Sequence, residues 1–225
     1  MQASTLERSS TFTTIATPLM PLGGEDQART DLYALLARLL LAPPDAALLG
    51  AIAASEPIVA QGGDPALEGA WERLTLASSV MDEQAVHDEF TALFIGIGTP
   101  LVDPYGSRYI AGFLNDTPLA ELRFDLARLG LARARRSGEF EDHIGALCET
   151  MRVLIAGAPG IRRQPVEQQR AFFDAHIAPW YERAMNDIAA LEAANYYRLV
   201  AQLTTAFLAI EADAFDVEEH SNDAA

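Results

Sequence analysis

From Asp26 to Leu41, apolar residues fall at Leu32, Leu35, Leu36, Leu39 and Leu40, the three-and-four spacing that places them on one side of a helix. Ala42-Pro43-Pro44 ends that helix, because proline has no N–H to give and disfavours helical backbone in the residue before it. A short helix follows, then a break at Gln61-Gly-Gly-Asp-Pro65. Residues 66–79 form a helix around Trp71 and Leu74, and residues 82–95 another with Val86, Phe90, Leu93 and Phe94 apolar. Gly96 to Gly106 is dense in Gly and Pro and reads as a loop. Residues 107–114 and 118–129 are helical, with Gly130 placed to cap the second. Residues 139–156, 167–176, 179–191 and 192–212 complete the helices, and Gly157-Ala-Pro-Gly160 closes the first of these four.

The period-two alternation of half-buried strands is absent, and no repeat of solenoid length occurs. The pattern predicts an all-α fold, a bundle of about ten helices in two lobes. Residues 1–24, rich in Ser, Thr, Pro and Gly, read as a disordered arm. A larger helical lobe over 25–132 and a second over 139–212 would meet at the basic stretch 133–138, which serves equally well as an ordinary interhelix loop. An acidic tail, 213–225, is expected to fray.

Composition narrows the function. The chain has 225 residues, half of them hydrophobic, enough for a substantial core. Its 16 basic residues are all arginine, against 32 acids, for a net charge of −16. Binding duplex nucleic acid needs a basic face, and binding anionic lipid does too, so neither is expected. An acidic surface attracts basic peptides, although the same charge also keeps a protein soluble. No apolar run is long enough to span a bilayer and no secretory signal is evident, so a cytoplasmic protein is expected. Cys148 is the single cysteine, which excludes an internal disulfide and a multi-cysteine zinc site; it sits in an apolar helical stretch as a small buried hydrophobe.

Catalytic patterns are wanting. Di-iron bundles use Glu-x-x-His pairs, and none occurs. His87 follows Glu83 by one helical turn, a spacing for a salt bridge more often than for a metal. Without lysine there is no phosphate-binding Gly-x-x-x-x-Gly-Lys loop, and no Gly-x-Ser-x-Gly elbow appears. Cys148 and His143, five apart on a helix, face different ways.

Two segments stand out. In the first, Glu89-Phe-Thr-Ala-Leu-Phe-Ile-Gly96 leads into Pro104-Tyr-Gly-Ser107, a helix, a loop and a polar-aromatic cluster. Tyr105 and Ser107 are placed either to face a groove or to pack on the core. The second is Glu139-Phe-Glu-Asp-His143, whose acids are expected in the first turn of a helix, where the dipole favours negative charge. His143 beside them should respond to its neighbours.

The second segment resembles the Glu-Pro-x-Asp-His motif of the TorD/DmsD/NarJ family of redox-enzyme maturation chaperones. Tyr33 to Pro44 is similar to that family's first helix and proline stop. Phe90–Phe94 with Pro104–Ser107 is similar to its "Leu-Phe … Pro-Tyr-Glu-Ser" stretch, and Gln169–His176 with Pro179-Trp180 to its "Phe … His … Pro-Trp" segment. The likeness spans about residues 28–212. Phe140 stands where the family has proline, and Gly106 where it usually has glutamate.

The resemblance implies a TorD-like fold and a binding protein, not an enzyme. Its client would be the apo catalytic subunit of a molybdoenzyme, held by its twin-arginine leader or N-terminus while molybdenum cofactor is inserted before export or assembly. It also implies weak guanine nucleotide binding, a transient contact with molybdenum cofactor and no tightly bound cofactor. The protein would be a monomer or a domain-swapped dimer. A leader offers arginines and an apolar stretch, so the receptor needs carboxylates and a groove. Asp142, Glu139 and Glu89 are the candidate acids, with His143, Ser107 and His176 beside them. Tyr33, Phe94, Tyr105, Phe172 and Trp180 are candidate groove or lobe-interface residues, and packing in the core is the competing role for each. A helical scaffold subunit of a redox complex and a metal-dependent nucleotide hydrolase are the alternatives.

Overall fold

The computed structural model describes residues 21–58, 65–96, 99–132 and 138–222. Ten α-helices occur among them: α1 Gly24–Leu41, α2 Ala46–Ala53, α3 Pro65–Val80, α4 Glu83–Phe90, α5 Gly106–Ala111, α6 Thr117–Arg128, α7 Ile144–Ala156, α8 Val166–His176, α9 Tyr181–Ala190 and α10 Tyr196–Asn222. Among the described residues there is no β-strand, only isolated bridges such as Tyr105 with His143. The fold is the all-α bundle that the hydrophobic spacing predicts. The arm over residues 1–20, the break at 61–64 and the linker residues 133–137 lie outside the described residues.

Local chemistry sets most of the ends. Asp45 and Asp82 cap α2 and α4 by accepting backbone N–H groups of the first turn. The α4 helix runs on into a widened π-helical turn, Thr91–Ile95, which stops at Gly96. Two boundaries differ from expectation. The last helix starts at Tyr196 and continues to Asn222, through residues expected to fray. Helix α7 starts at Ile144, not near 139, because residues 141–143 form a turn and His143 is the N-cap. The acids Glu139, Glu141 and Asp142 therefore precede the helix.

Helix α7 buries Ile144, Leu147, Cys148, Met151 and Leu154 and runs against α1. The two helices approach closely at Gly145, where a Cβ would lie 2.8 Å from Leu41 Cγ and 3.3 Å from the Ala37 carbonyl. Helix α10 packs on α3 and α9, α2 on α3, α5 on α6, and α8 on α7. A single core, drawn from Tyr33 to Phe215, joins elements on both sides of residues 133–138.

Two buried acids tie α10 in place. Glu211 receives the Arg29 guanidinium in a bidentate pair at 2.7 and 2.8 Å, and also accepts the Tyr33 hydroxyl at 3.0 Å. Burial works against the Arg29 charge, but the bonds to Glu211 outweigh it and hold the guanidinium above its usual range. Glu89 sits at the other end of α10. Its carboxylate accepts the N–H groups of Asn195, Tyr196 and Tyr197 at 2.8, 3.1 and 2.8 Å. These donors have no partner within the helix, and the N-terminal dipole favours an anion there.

Candidate functional site

The two segments singled out in sequence pair with each other. The Gly106 N–H donates to the Asp142 carbonyl at 2.9 Å, and the Ile144 N–H to the Pro104 carbonyl at 3.0 Å. The Asp142 side chain adds a third link, its Oδ2 accepting the Ser107 N–H at 2.8 Å. Tyr105 donates its hydroxyl to Glu139 and sets its ring edge-on to Phe140 and His143. Arg123 of α6 clamps Glu141 with two bonds at 3.1 and 2.9 Å.

Burial dominates the electrostatics here. His143 is 4% exposed, and its Nδ1 accepts the Gly145 N–H at 3.1 Å. Burial pushes the imidazole down to about 4, against the pull of Glu139 and Asp142, so it is neutral and serves as an acceptor. Burial and the bond to Glu139 raise the Tyr105 phenol well above its usual range. Asp142 is 3% exposed, and its Oδ1 has no hydrogen-bond partner. Ser107 is fully buried; its Oγ accepts the Asn115 N–H at 3.2 Å and closes the turn after α5.

Trp180 supports this cluster from below. It donates to the His176 carbonyl at 2.7 Å and stacks on Tyr109 at 5.5 Å. A Cβ at residue 106 would lie 3.2 Å from Trp180 Nε1, so glycine lets the indole approach the backbone. His176 rests on Phe172 and bonds Asp125 at 3.0 Å.

The paired segments stand between two hollows. On one side Leu41, Leu126, Phe140, Ala146 and Val153 line a groove of about 260 Å³, with Glu139, Glu141 and Glu149 around it. On the other, Gly106, Asp142 and His176 line a smaller cavity of about 170 Å³. Sequence reasoning missed Glu149. The signal was the face Ala146, Glu149, Thr150, Val153, at helical spacing on α7 and less apolar than the rest of it.

The structure thus brings together Glu139, Asp142, His143, Tyr105, Ser107, His176, Phe172 and Trp180. It places others elsewhere. Glu89 is not a surface acid; it is 8% exposed and occupied by α10. Tyr33 is fully buried, edge-on to Phe207, and Phe94 packs on Phe90 and Tyr197. His87 is exposed and nearest Asp88 at 3.9 Å, not paired with Glu83. Among the described residues no group of three or more His, Cys, Asp or Glu side chains is arranged to hold a metal ion. None of the described helices is long and apolar enough to cross a membrane.

The structure is an all-α helical bundle with an acid-bordered apolar groove beside a buried polar seam. More specifically, the chain belongs to the nitrate reductase delta subunit family, whose model matches residues 60–186, more than half of its length. This is the NarJ/TorD-type family of chaperones, so the protein is a maturation chaperone for molybdoenzymes in that general sense. The match takes in both paired segments and Trp180 and leaves α1 and α10 outside. No curated protein matches the chain.

Proposed function

We propose that this chaperone binds the N-terminal leader of an apo molybdoenzyme catalytic subunit in the groove between α6, α7 and Phe140, and holds the subunit open for cofactor insertion. The observation that carries the reading is the composition of that groove. Leu126, Phe140 and Val153 supply an apolar floor, and Glu139, Glu141 and Glu149 border it with carboxylates engaged by Tyr105, Arg123 and Arg152, which a leader's arginines would share or displace. A leader joining arginines to an apolar stretch matches both features. The net charge of −16 speeds encounter with such a peptide.

The test is capture from the cytoplasm of the native host, with bound proteins identified by mass spectrometry. The parent protein is expected to enrich one molybdoenzyme catalytic subunit in its cofactor-free form. Ala146→Arg, which fills the half-buried groove wall and reverses its charge, is expected to lose that capture while keeping its helical circular dichroism. Capture of no molybdoenzyme by the parent sinks the reading, and undiminished capture by the variant moves the leader to another surface.

A further inference from the structure

We propose that the segment preceding α1, residues 1–20 of this chain, docks in the groove beside α7 and competes there with a partner's leader. The competition rests on the preceding reading; the docking rests on where α1 begins. Helix α1 runs antiparallel to α7. Gly145 lies against Leu41 and Ala37 at the end of α1, and Cys148 acts on the Tyr33 phenol two turns back. The start of α1 therefore lies at the end of α7 beyond Val153, and Val153, Thr150 and Ala146 line the groove in order from that end. Leu22, packed against the core just before α1, fixes where the segment sets out.

Reach is ample. Extended chain covers up to about 3.3 Å per residue, so the residues between Phe12 and Gly24 span up to about 40 Å. Helix α1, with 18 residues at about 1.5 Å each, is about 27 Å long. Phe12 can therefore lie at either end of the groove.

Composition suits the segment to this surface. Glu7 and Arg8 are its only charged side chains, so the net charge of −16 belongs entirely to the rest of the chain, and the acids around the groove do not repel the segment as a whole. Leu6, Phe12, Ile15 and Leu19 supply apolar side chains for the floor of Leu126, Phe140 and Val153. Arg8 stands four residues before Phe12, so the segment offers a cation beside an apolar stretch, the two features a leader brings. A single arginine makes it the weaker ligand, and tethering offsets that by raising its effective concentration to roughly millimolar. It covers the apolar floor until a leader with more arginines displaces it.

The test uses the full chain, labelled with nitrogen-15 and carrying a nitroxide on Ser10→Cys; Cys148 is fully buried and stays unmodified in the folded protein. The amides of Glu141, Ala146, Glu149 and Val153 are expected to lose most of their NMR intensity and to regain it when ascorbate reduces the nitroxide. Adding Phe12→Ser, or Ala146→Arg, is expected to restore the signals of Glu141, Glu149 and Val153. In capture from the host cytoplasm, Phe12→Ser is expected to raise recovery of the client severalfold. The docking is overturned by full intensity at the groove, or by loss centred on Leu76 and Val80 or on Phe113 and Phe124, where large apolar side chains are also exposed. Equal loss when the nitroxide sits on a separate, isotopically unlabelled chain overturns it too, and assigns the groove to a second copy. Unchanged capture by Phe12→Ser overturns the competition. The spectra need no client, so their failure with capture intact sinks this proposal alone, and failure of capture by the parent with the spectra intact sinks the leader reading.

Discussion

The Asp142 carboxylate accepts the Ser107 N–H across 35 residues of chain, and one of its two oxygens is left without a donor. Asp142→Asn is therefore expected to stay within about 1 kcal/mol of the parent or to exceed it, since an amide still accepts from Ser107 without burying a charge. Asp142→Ala orphans the buried N–H and is expected to cost roughly 2 kcal/mol. Urea unfolding of both variants checks the order.

Glu89 is predicted to be a structural acid. Replacing it with alanine removes the acceptor for three N–H groups at the start of α10, at a cost of about 3 kcal/mol or more. The loss appears as a lower urea midpoint with client capture by the surviving folded protein unchanged. A stable Glu89→Ala protein that no longer captures its client would return Glu89 to the binding surface.

His143 sets an acid limit. Its folded value, about 4, lies below the ordinary 6.5 of an unfolded chain. As pH falls, the unfolded chain takes up the proton first. The stability tied to neutral His143 is thus complete above about 6.5, declines from there towards 4, and changes no further below. His143→Asn keeps a cap acceptor and cannot titrate. The difference in unfolding free energy between parent and variant is expected to fall by a few kcal/mol across that window. A constant difference would show that the imidazole is not held neutral.

Cys148 is fully buried, and its thiol is pushed up to about 12 by burial. Native protein is expected to resist a thiol-specific chromogenic reagent at neutral pH, with modification in denaturant tracking global unfolding. Rapid labelling of the native state would reveal local opening along α7.

Much of this was legible in the sequence because it is local. Helical spacing marks the bundle, and Gly/Pro density marks the loop before α5. The two segments stand out in the sequence, but their pairing, Pro104–Ser107 with Glu139–His143, is seen only in the structure. What was missed depends on distant partners. Glu89 looks like any helical acid until residues 195–197 arrive at its carboxylate. The start of α7 was placed too early because acids before an apolar run suggest a first turn. Pairing with residues 104–106 instead fixes them outside the helix, and histidine is not among the usual caps.

The ties made by Glu89 and Arg29 also order events on the ribosome. Glu89 must wait more than a hundred residues for the backbone it caps, and Arg29 waits 182 for Glu211. Until the last helix has emerged, both charges face water and the α3 surface that receives α10 lies open. The core therefore closes only once α10 has been made, and folding of α1 and α4 is expected to wait on that helix.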